Sequence, residues 1–221
     1  MSIDLESLPA RKRIYCNRCK SDTNHELKSE HHRDSYYDEA NFQEIIGFRF
    51  FICAGCETGV LEEYYTNTGY KDDNEKQLFD YEYHPIRSEF HVERKIFIKL
   101  PKKLNTIYRE ILNAFNSEAN VLCAIGIRAL LEGICADKKI TGTNLSEKID
   151  NLDNILPQNI VDNLHSIRFI GNSAAHELSS PKRIDLRLAI DILQDILNYL
   201  YELDYKTSRL NKSYKTIESG S

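Results

Sequence analysis

Two spacings of hydrophobic residues divide the chain. Up to about residue 100, apolar positions come in short runs of β-branched and aromatic residues. Ile45-Ile46-Gly47-Phe48-Arg49-Phe50-Phe51-Ile52 and Val60-Leu61-Glu62-Glu63-Tyr64-Tyr65 are the clearest. Such residues suit a pleated, half-buried surface, so both runs predict strands, joined as a hairpin across Cys53 and Cys56. Asn67-Thr68-Gly69 and the acidic run Asp72-Asp73-Asn74-Glu75 predict turn and loop. His31 to Phe42, a mixture of Tyr, Asp and Glu, predicts an irregular excursion.

From Leu104 the period becomes helical. Leu104, Ile107, Tyr108, Ile111, Leu112 and Phe115 mark one apolar face. A second helix, about Glu118 to Asp137, is apolar on nearly every side and is expected at the centre of a bundle. Asn144 with Glu147 three residues later predicts a capping box that opens a helix to about Asp153. Pro157 starts another, reaching Arg168 or Phe169, with Gly171-Asn172 expected to break or kink it. Ser180-Pro181 predicts an N-cap and first-turn proline for the longest segment, Arg183 to about Tyr205. The reading is an α+β chain with a β-rich domain over 1–100, an all-helical bundle over 101–206 and a disordered tail over 207–221.

Four cysteines sharpen the first domain. Cys16-Asn-Arg-Cys19 and Cys53-Ala-Gly-Cys56 are two Cys-x-x-Cys pairs. A two-residue spacer lets a tight turn bring both sulfurs onto one ion, and four thiolates complete a tetrahedral Zn²⁺ site. The expectation is one structural zinc in a zinc ribbon, with no coordination position left for a catalytic water. His25, His31 and His32 are the alternative ligands within the same stretch. Two disulfides are the other reading of the cysteines, and they need an oxidising compartment. The N-terminal residues hold no apolar run of the kind a secretion signal requires, so a cytoplasmic location is expected. Cys123 and Cys135 lie in an apolar helix and read as buried free thiols.

Charge narrows the partners. The net charge is −5, with 14 Lys and Arg against 19 Asp and Glu in residues 1–100, and 15 against 15 in residues 101–221. Neither half is a generally basic surface, so any nucleic-acid contact must be local. No stretch is long and apolar enough to predict a membrane span; the most apolar one, Val121 to Leu131, is interrupted by Arg128.

One segment carries candidate chemistry: Ile167-Arg168-Phe169-Ile170-Gly171-Asn172-Ser173-Ala174-Ala175-His176. An imidazole that titrates near neutrality, beside a fixed cation, suffices to cleave RNA without metal. His176 would move the proton of the 2′-hydroxyl or of the leaving oxygen, and Arg168 would hold the scissile phosphate. The same segment also reads as a helix–helix contact, with small residues for close packing and a hydrogen-bonded histidine. Glu132, one turn after Arg128 in the central helix, reads either as orienting Arg168 or His176, or as a structural pair with Arg128.

Taken with Tyr83-His84-Pro85, Tyr108-Arg109-Glu110, Arg128-x-x-x-Glu132-x-x-Cys135 and Ile167-Arg168-x-x-Gly171-Asn172-x-x-Ala175-His176, the stretch from about Tyr83 to Tyr205 resembles the prokaryotic domain of unknown function 4145. That family is similar to the HEPN (higher eukaryotes and prokaryotes nucleotide-binding) helical domains, many of which are dimeric, metal-independent RNases of defence and toxin systems. The resemblance implies a HEPN-like bundle and a homodimer formed through it. It further implies RNA or a defence-system protein as partner, and catalytic places for Arg168 and His176, with Asn172 between them. HEPN motifs place the histidine four to six residues after the arginine; here seven residues intervene. The alternative is a non-catalytic zinc ribbon plus helical dimerisation module that binds nucleic acid or a partner protein. A third reading is nucleotide binding at Arg168 and Asn172.

Overall fold

A computed structural model describes residue 3 and residues 10–176, 179–203 and 205–211, with the side chain of His176 excepted. The chain divides into two units, Met1–His91 and Val92–Ser221.

The first unit is an antiparallel meander of five strands in sequence order: β1 (Arg11–Cys16), β2 (Ser21–Tyr37), β3 (Phe42–Cys53), β4 (Gly59–Asn67) and β5 (Asp80–His84). The predicted hairpin is β3–β4, paired from Glu44↔Asn67 to Ile52↔Gly59. The stretch expected as an excursion is instead regular. β2 and β3 form a long hairpin paired from His25↔Cys53 to Tyr37↔Phe42, closed by a 3-10 turn at Asp38–Ala40. The polar composition of β2 conceals it for a physical reason. Among the described residues β1 pairs with Ser21 to Glu26, the Leu27 N–H donates to Ala10 O at 3.0 Å, and beyond that point β2 is a sheet edge. Charged side chains on an edge keep its open backbone groups from recruiting another strand.

One face of the sheet is buried. Ile14, Phe51 and Val60 form an apolar cluster, with Leu27 and Tyr83 packed against it. Further along, the same face carries charge: Arg49 is 2% exposed and Glu62 fully buried. The Arg49 guanidinium reaches Glu30 at 3.0 Å and Glu62 at 3.1 Å and lies 3.8 Å from the centre of the Tyr64 ring. Lys12 pairs with the other oxygen of Glu62. Burying charge is costly unless it is matched, and here both carboxylate oxygens of Glu62 have cationic partners.

The second unit starts with an extended segment. Val92, Phe97 and Leu100 are buried, the Val92 N–H donates to Asn116 Oδ1 at 2.9 Å, and Phe97 meets Tyr108 edge-on at 5.4 Å. Residues 92–100, expected with the ribbon, thus go with the helices. These are α1 (Lys102–Asn116), α2 (Asn120–Asp137), α3 (Leu145–Asp150), α4 (Gln158–His176) and α5 (Arg183–Leu197). α2 is central as predicted, burying Cys123, Ala124, Ile127, Leu130, Leu131, Ile134 and Cys135. α1, α4, α5 and α3 all pack against it.

Three boundaries differ from expectation. α4 runs unbroken through Gly171 to His176, because a single glycine costs a helix only about 1 kcal/mol and packing against α2 outweighs it. α5 begins at Arg183 with Lys182 at the cap position and no side-chain cap, so Ser180 and Pro181 lie ahead of it. After α5 the chain makes a π-helical turn, Asn198–Leu203, and residues 205–211 are helical. The expected tail is therefore helical over 207–211, and its remainder, 212–221, lies outside the described residues. Among the described residues no helix is long and apolar enough to cross a membrane.

Candidate metal centre and the polar seam between α2 and α4

The cysteine pairs sit at the ends of neighbouring strands and are built alike. β1 ends at Cys16 and β3 at Cys53. In each pair the chain then turns: the Lys20 N–H donates to Cys16 O at 2.8 Å, and the Glu57 N–H to Cys53 O at 3.0 Å. Lys20 and Glu57, each directly after a second cysteine, are left-handed, with φ of 57° and 61°. That repeated turn points all four thiols at one spot. Cys16 Sγ lies 3.4 Å from Cys56 Sγ and Cys19 Sγ 3.9 Å from Cys53 Sγ, and all four sulfurs fall within 4.8 Å of one another. Zinc–sulfur bonds of about 2.3 Å in a tetrahedron put sulfurs about 3.8 Å apart, so the four residues can hold one metal ion. Among the described residues this is the only group of three or more His, Cys, Asp or Glu with ligand atoms so close. His25 is fully buried, but its Nδ1 donates to Thr23 O at 3.0 Å and it stands outside the group. His31 and His32 are exposed on β2.

The surroundings favour thiolate at some positions and oppose it at others. Thr23 Oγ1 lies 3.2 Å from Cys53 Sγ, and Thr58 Oγ1 lies 3.2 Å from Cys56 Sγ. Burial works against ionisation of Cys53, but the Thr23 hydroxyl and the N–H groups of Cys56 and Gly55 outweigh it and bring its pKa down to about 6. Cys56 is lowered in the same way by Thr58 against its burial. Cys19, hydrogen-bonded to Cys56, is pushed up to about 12. Such a set gives up its last protons only when a cation takes their place.

Sequence reading missed the residues that fasten this centre to the rest of its unit. Asn17, inside the first pair and 4% exposed, donates from Nδ2 to Ile86 O at 2.8 Å and accepts the Ser88 N–H at 3.1 Å. Between those two anchor points lies Arg87, whose Nη2 donates to Gly59 O at 3.0 Å. The signal available for Asn17 was its place inside the first Cys-x-x-Cys pair. Nothing local marks Arg87, because its partner is 28 residues away.

In the helical unit, Gly171 is where α4 crosses α2. A Cβ on it would come 2.6 Å from Arg128 Cβ and 3.1 Å from Ala124 O. One residue on, the Asn172 amide oxygen accepts a hydrogen bond from Arg128 Nη1, while Arg128 Nε donates to Glu132 at 3.1 Å. Glu132 therefore pairs with Arg128, one of its two expected roles. Arg168 is half-buried; its guanidinium lies 4.3 Å from the centre of the Phe169 ring, and its buried Nε has no hydrogen-bond partner among the described residues. Phe169 itself is 60% exposed. The backbone of His176 closes α4, and its side chain lies outside what is described.

A straight helix turns about 100° and rises about 1.5 Å per residue. Steps of four residues therefore advance about 40°, so positions 168, 172 and 176 run along one face, spread over about 80° and about 12 Å. The expected kink is absent, and the unbroken helix aligns these three positions without it.

Residues 109–213 match the family model described as "Domain of unknown function (DUF4145)". The match begins within α1 and spans α2 to α5; residues 83–108, which the resemblance includes, lie outside it. No curated protein and no solved structure matches the chain.

Proposed function

We propose, from the premise that the helical region belongs to the DUF4145 family, that this chain is a zinc-stapled, HEPN-like effector directed at RNA, acting as a homodimer in the cytoplasm of a prokaryote in a defence or toxin role. The observation that supports it most is the alignment of positions 168, 172 and 176 along one face of the unbroken α4. Arg168 would bind the scissile phosphate, a task suited to a planar guanidinium. The exposed ring of Phe169 beside it offers a platform for a base. Asn172 is held in place by Arg128, which Glu132 holds in turn.

In this reading His176 of one protomer takes the proton of the 2′-hydroxyl, whose oxygen attacks phosphorus. The bond to the 5′-oxygen breaks, and the imidazolium of the second copy protonates that oxygen. The products are a 2′,3′-cyclic phosphate and a 5′-hydroxyl. Zn²⁺ held by Cys16, Cys19, Cys53 and Cys56 would supply a covalent cross-link between two hairpins and take no part in the reaction.

A second reading has its own support. Gly171 against Arg128, and Asn172 engaged by Arg128, are what a packing seam needs, and they suit a non-catalytic module that binds nucleic acid or a partner protein. Incubation with total tRNA and single-stranded RNA in EDTA separates the two. The RNase reading expects cyclic-phosphate ends from wild type and none from Arg168→Ala or His176→Ala. Absence of cleavage by wild type and His176→Ala alike leaves the binding module.

A further inference from the structure

We propose that Arg87 is the cation that balances the charge of the cysteine centre, a positioning residue without which the four thiolates hold their metal poorly. This inference rests on the metal reading above and extends it to a residue outside the ligand set. Four thiolates around a divalent ion leave a net charge of about −2, and an ion of that kind in a partly buried site needs a compensating charge nearby. The surrounding core does not provide one. Ile14 and Phe51 lie two residues before Cys16 and Cys53 on the same face of their strands, and with Val60 they form an apolar cluster.

Arg87 is built into position from three sides. Its neighbours Ile86 and Ser88 are both hydrogen-bonded to Asn17, inside the first cysteine pair. Its own Nη2 donates to Gly59 O at 3.0 Å, where the chain leaves the second pair. The guanidinium is thus held between the two turns that carry the ligands. Its Nε and Nη1 are buried with no hydrogen-bond partner among the described residues. Two stranded donor nitrogens are expensive in a buried site, and thiolate sulfur is an acceptor that would satisfy them. Electrostatics agree with the geometry: burial pushes the Arg87 pKa down, while Cys16, Cys53 and Cys56 pull it back up.

The test titrates the full-length protein with zinc against a chromophoric chelator, following folding by circular dichroism. Groups just outside a metal's ligands typically contribute 10- to 100-fold to affinity. Arg87→Gln, which keeps a donor for Gly59 but loses the charge, should therefore weaken zinc binding by about 10- to 100-fold. Wild-type affinity in that variant overturns the proposal. Should Arg87→Gln fail to fold, Arg87→Lys decides, since it keeps the charge and loses the guanidinium that bonds Gly59 O. Affinity within a few-fold of wild type supports charge balance, whereas a loss of about tenfold or more shows that Arg87 is only a clamp. A wild-type chain that takes up no zinc overturns this proposal together with the metal reading, a result distinct from failure in the variants alone.

Discussion

Arg128 on α2 reaches the Asn172 amide oxygen on α4 directly beside the point where Gly171 brings the two helices together. Contact and hydrogen bond depend on each other. Only a residue without a Cβ lets α4 approach closely enough for the short Asn172 side chain to meet a guanidinium that Glu132 already orients at 3.1 Å. The Arg-x-x-x-Glu and Gly-Asn motifs of the sequence are two halves of one joint.

That joint predicts opposite outcomes for two glycines. In Gly171→Ala the new methyl meets Arg128 Cβ at 2.6 Å and the Ala124 carbonyl at 3.1 Å, neither of which can swing away. Overpacking of this kind costs about 1–3 kcal/mol, while the helix-propensity gain of alanine is about 1 kcal/mol. A net loss of up to about 2 kcal/mol is expected in urea unfolding. In Gly133→Ala the obstacle is Leu104 Cδ2 at 2.7 Å, the free end of a flexible side chain. There the propensity term should win, leaving stability unchanged or raised by up to about 1 kcal/mol.

Much of this architecture was legible in the sequence, and the failures share a cause. β3, β4 and α1 announce themselves because one face of each is buried, which imprints a period on the residues, and α2 because it is apolar on nearly every side. The four cysteines were legible because metal ligation demands a fixed local spacing. β2 was not, since among the described residues its outer side is an edge beyond Leu27 and its pairing residues lie on another strand. The passage of α4 through Gly171 was hidden because local propensity and tertiary contact disagree there, and the contact with Arg128 prevails. Thr23 acquires its place from sheet register, and Arg87 from its neighbours' bonds to Asn17 and its own to Gly59, which no window around either residue contains.

The start of α3 offers a pH-dependent test. Asn144 Oδ1 accepts the Glu147 N–H at 3.1 Å, and Glu147 accepts the Thr143 N–H at 2.8 Å. Asn144→Ala should cost about 1 kcal/mol. The Thr143 N–H holds the Glu147 carboxyl below its usual range. A carboxyl lowered on folding stabilises above its unfolded pKa and loses that contribution as pH falls through the folded value. Wild type should therefore exceed Glu147→Gln in stability near neutrality, and the gap should close between about pH 5 and pH 3. A gap that stays constant across that range would show the charge is irrelevant to the cap.

Two thiols in α2 should be silent. Burial pushes Cys123 up to about 12 and Cys135 up to about 11. At pH 8 each is three or more units below its pKa, so the reactive thiolate is about one part in a thousand or less. A chromogenic disulfide reagent should leave both unmodified in native protein and reach them only after denaturant is added. Rapid modification of Cys123 in the native state would mean that the bundle opens around α2.

Metal removal makes the sharpest demand on the first unit. With the ion in place, Cys16, Cys19, Cys53 and Cys56 should resist alkylation, and chelation under reducing conditions should release all four together, because they form a single centre. A structural metal contributes directly to folding, and among the described residues the β-unit's apolar cluster is small: Ile14, Phe51 and Val60, with Leu27 and Tyr83 packed against it. Chelation should accordingly abolish the strand signal of residues 11–84 while the helical ellipticity from 102–211 persists, since α1 to α5 pack around α2 without any ligand residue. Cys53→Ser should reproduce the chelated state, its three remaining thiols leaving a coordination position to water. If strand structure survives both treatments unchanged, the sheet stands on its polar network of Arg49, Glu62 and Glu30 instead, and the cysteines are not what holds it together.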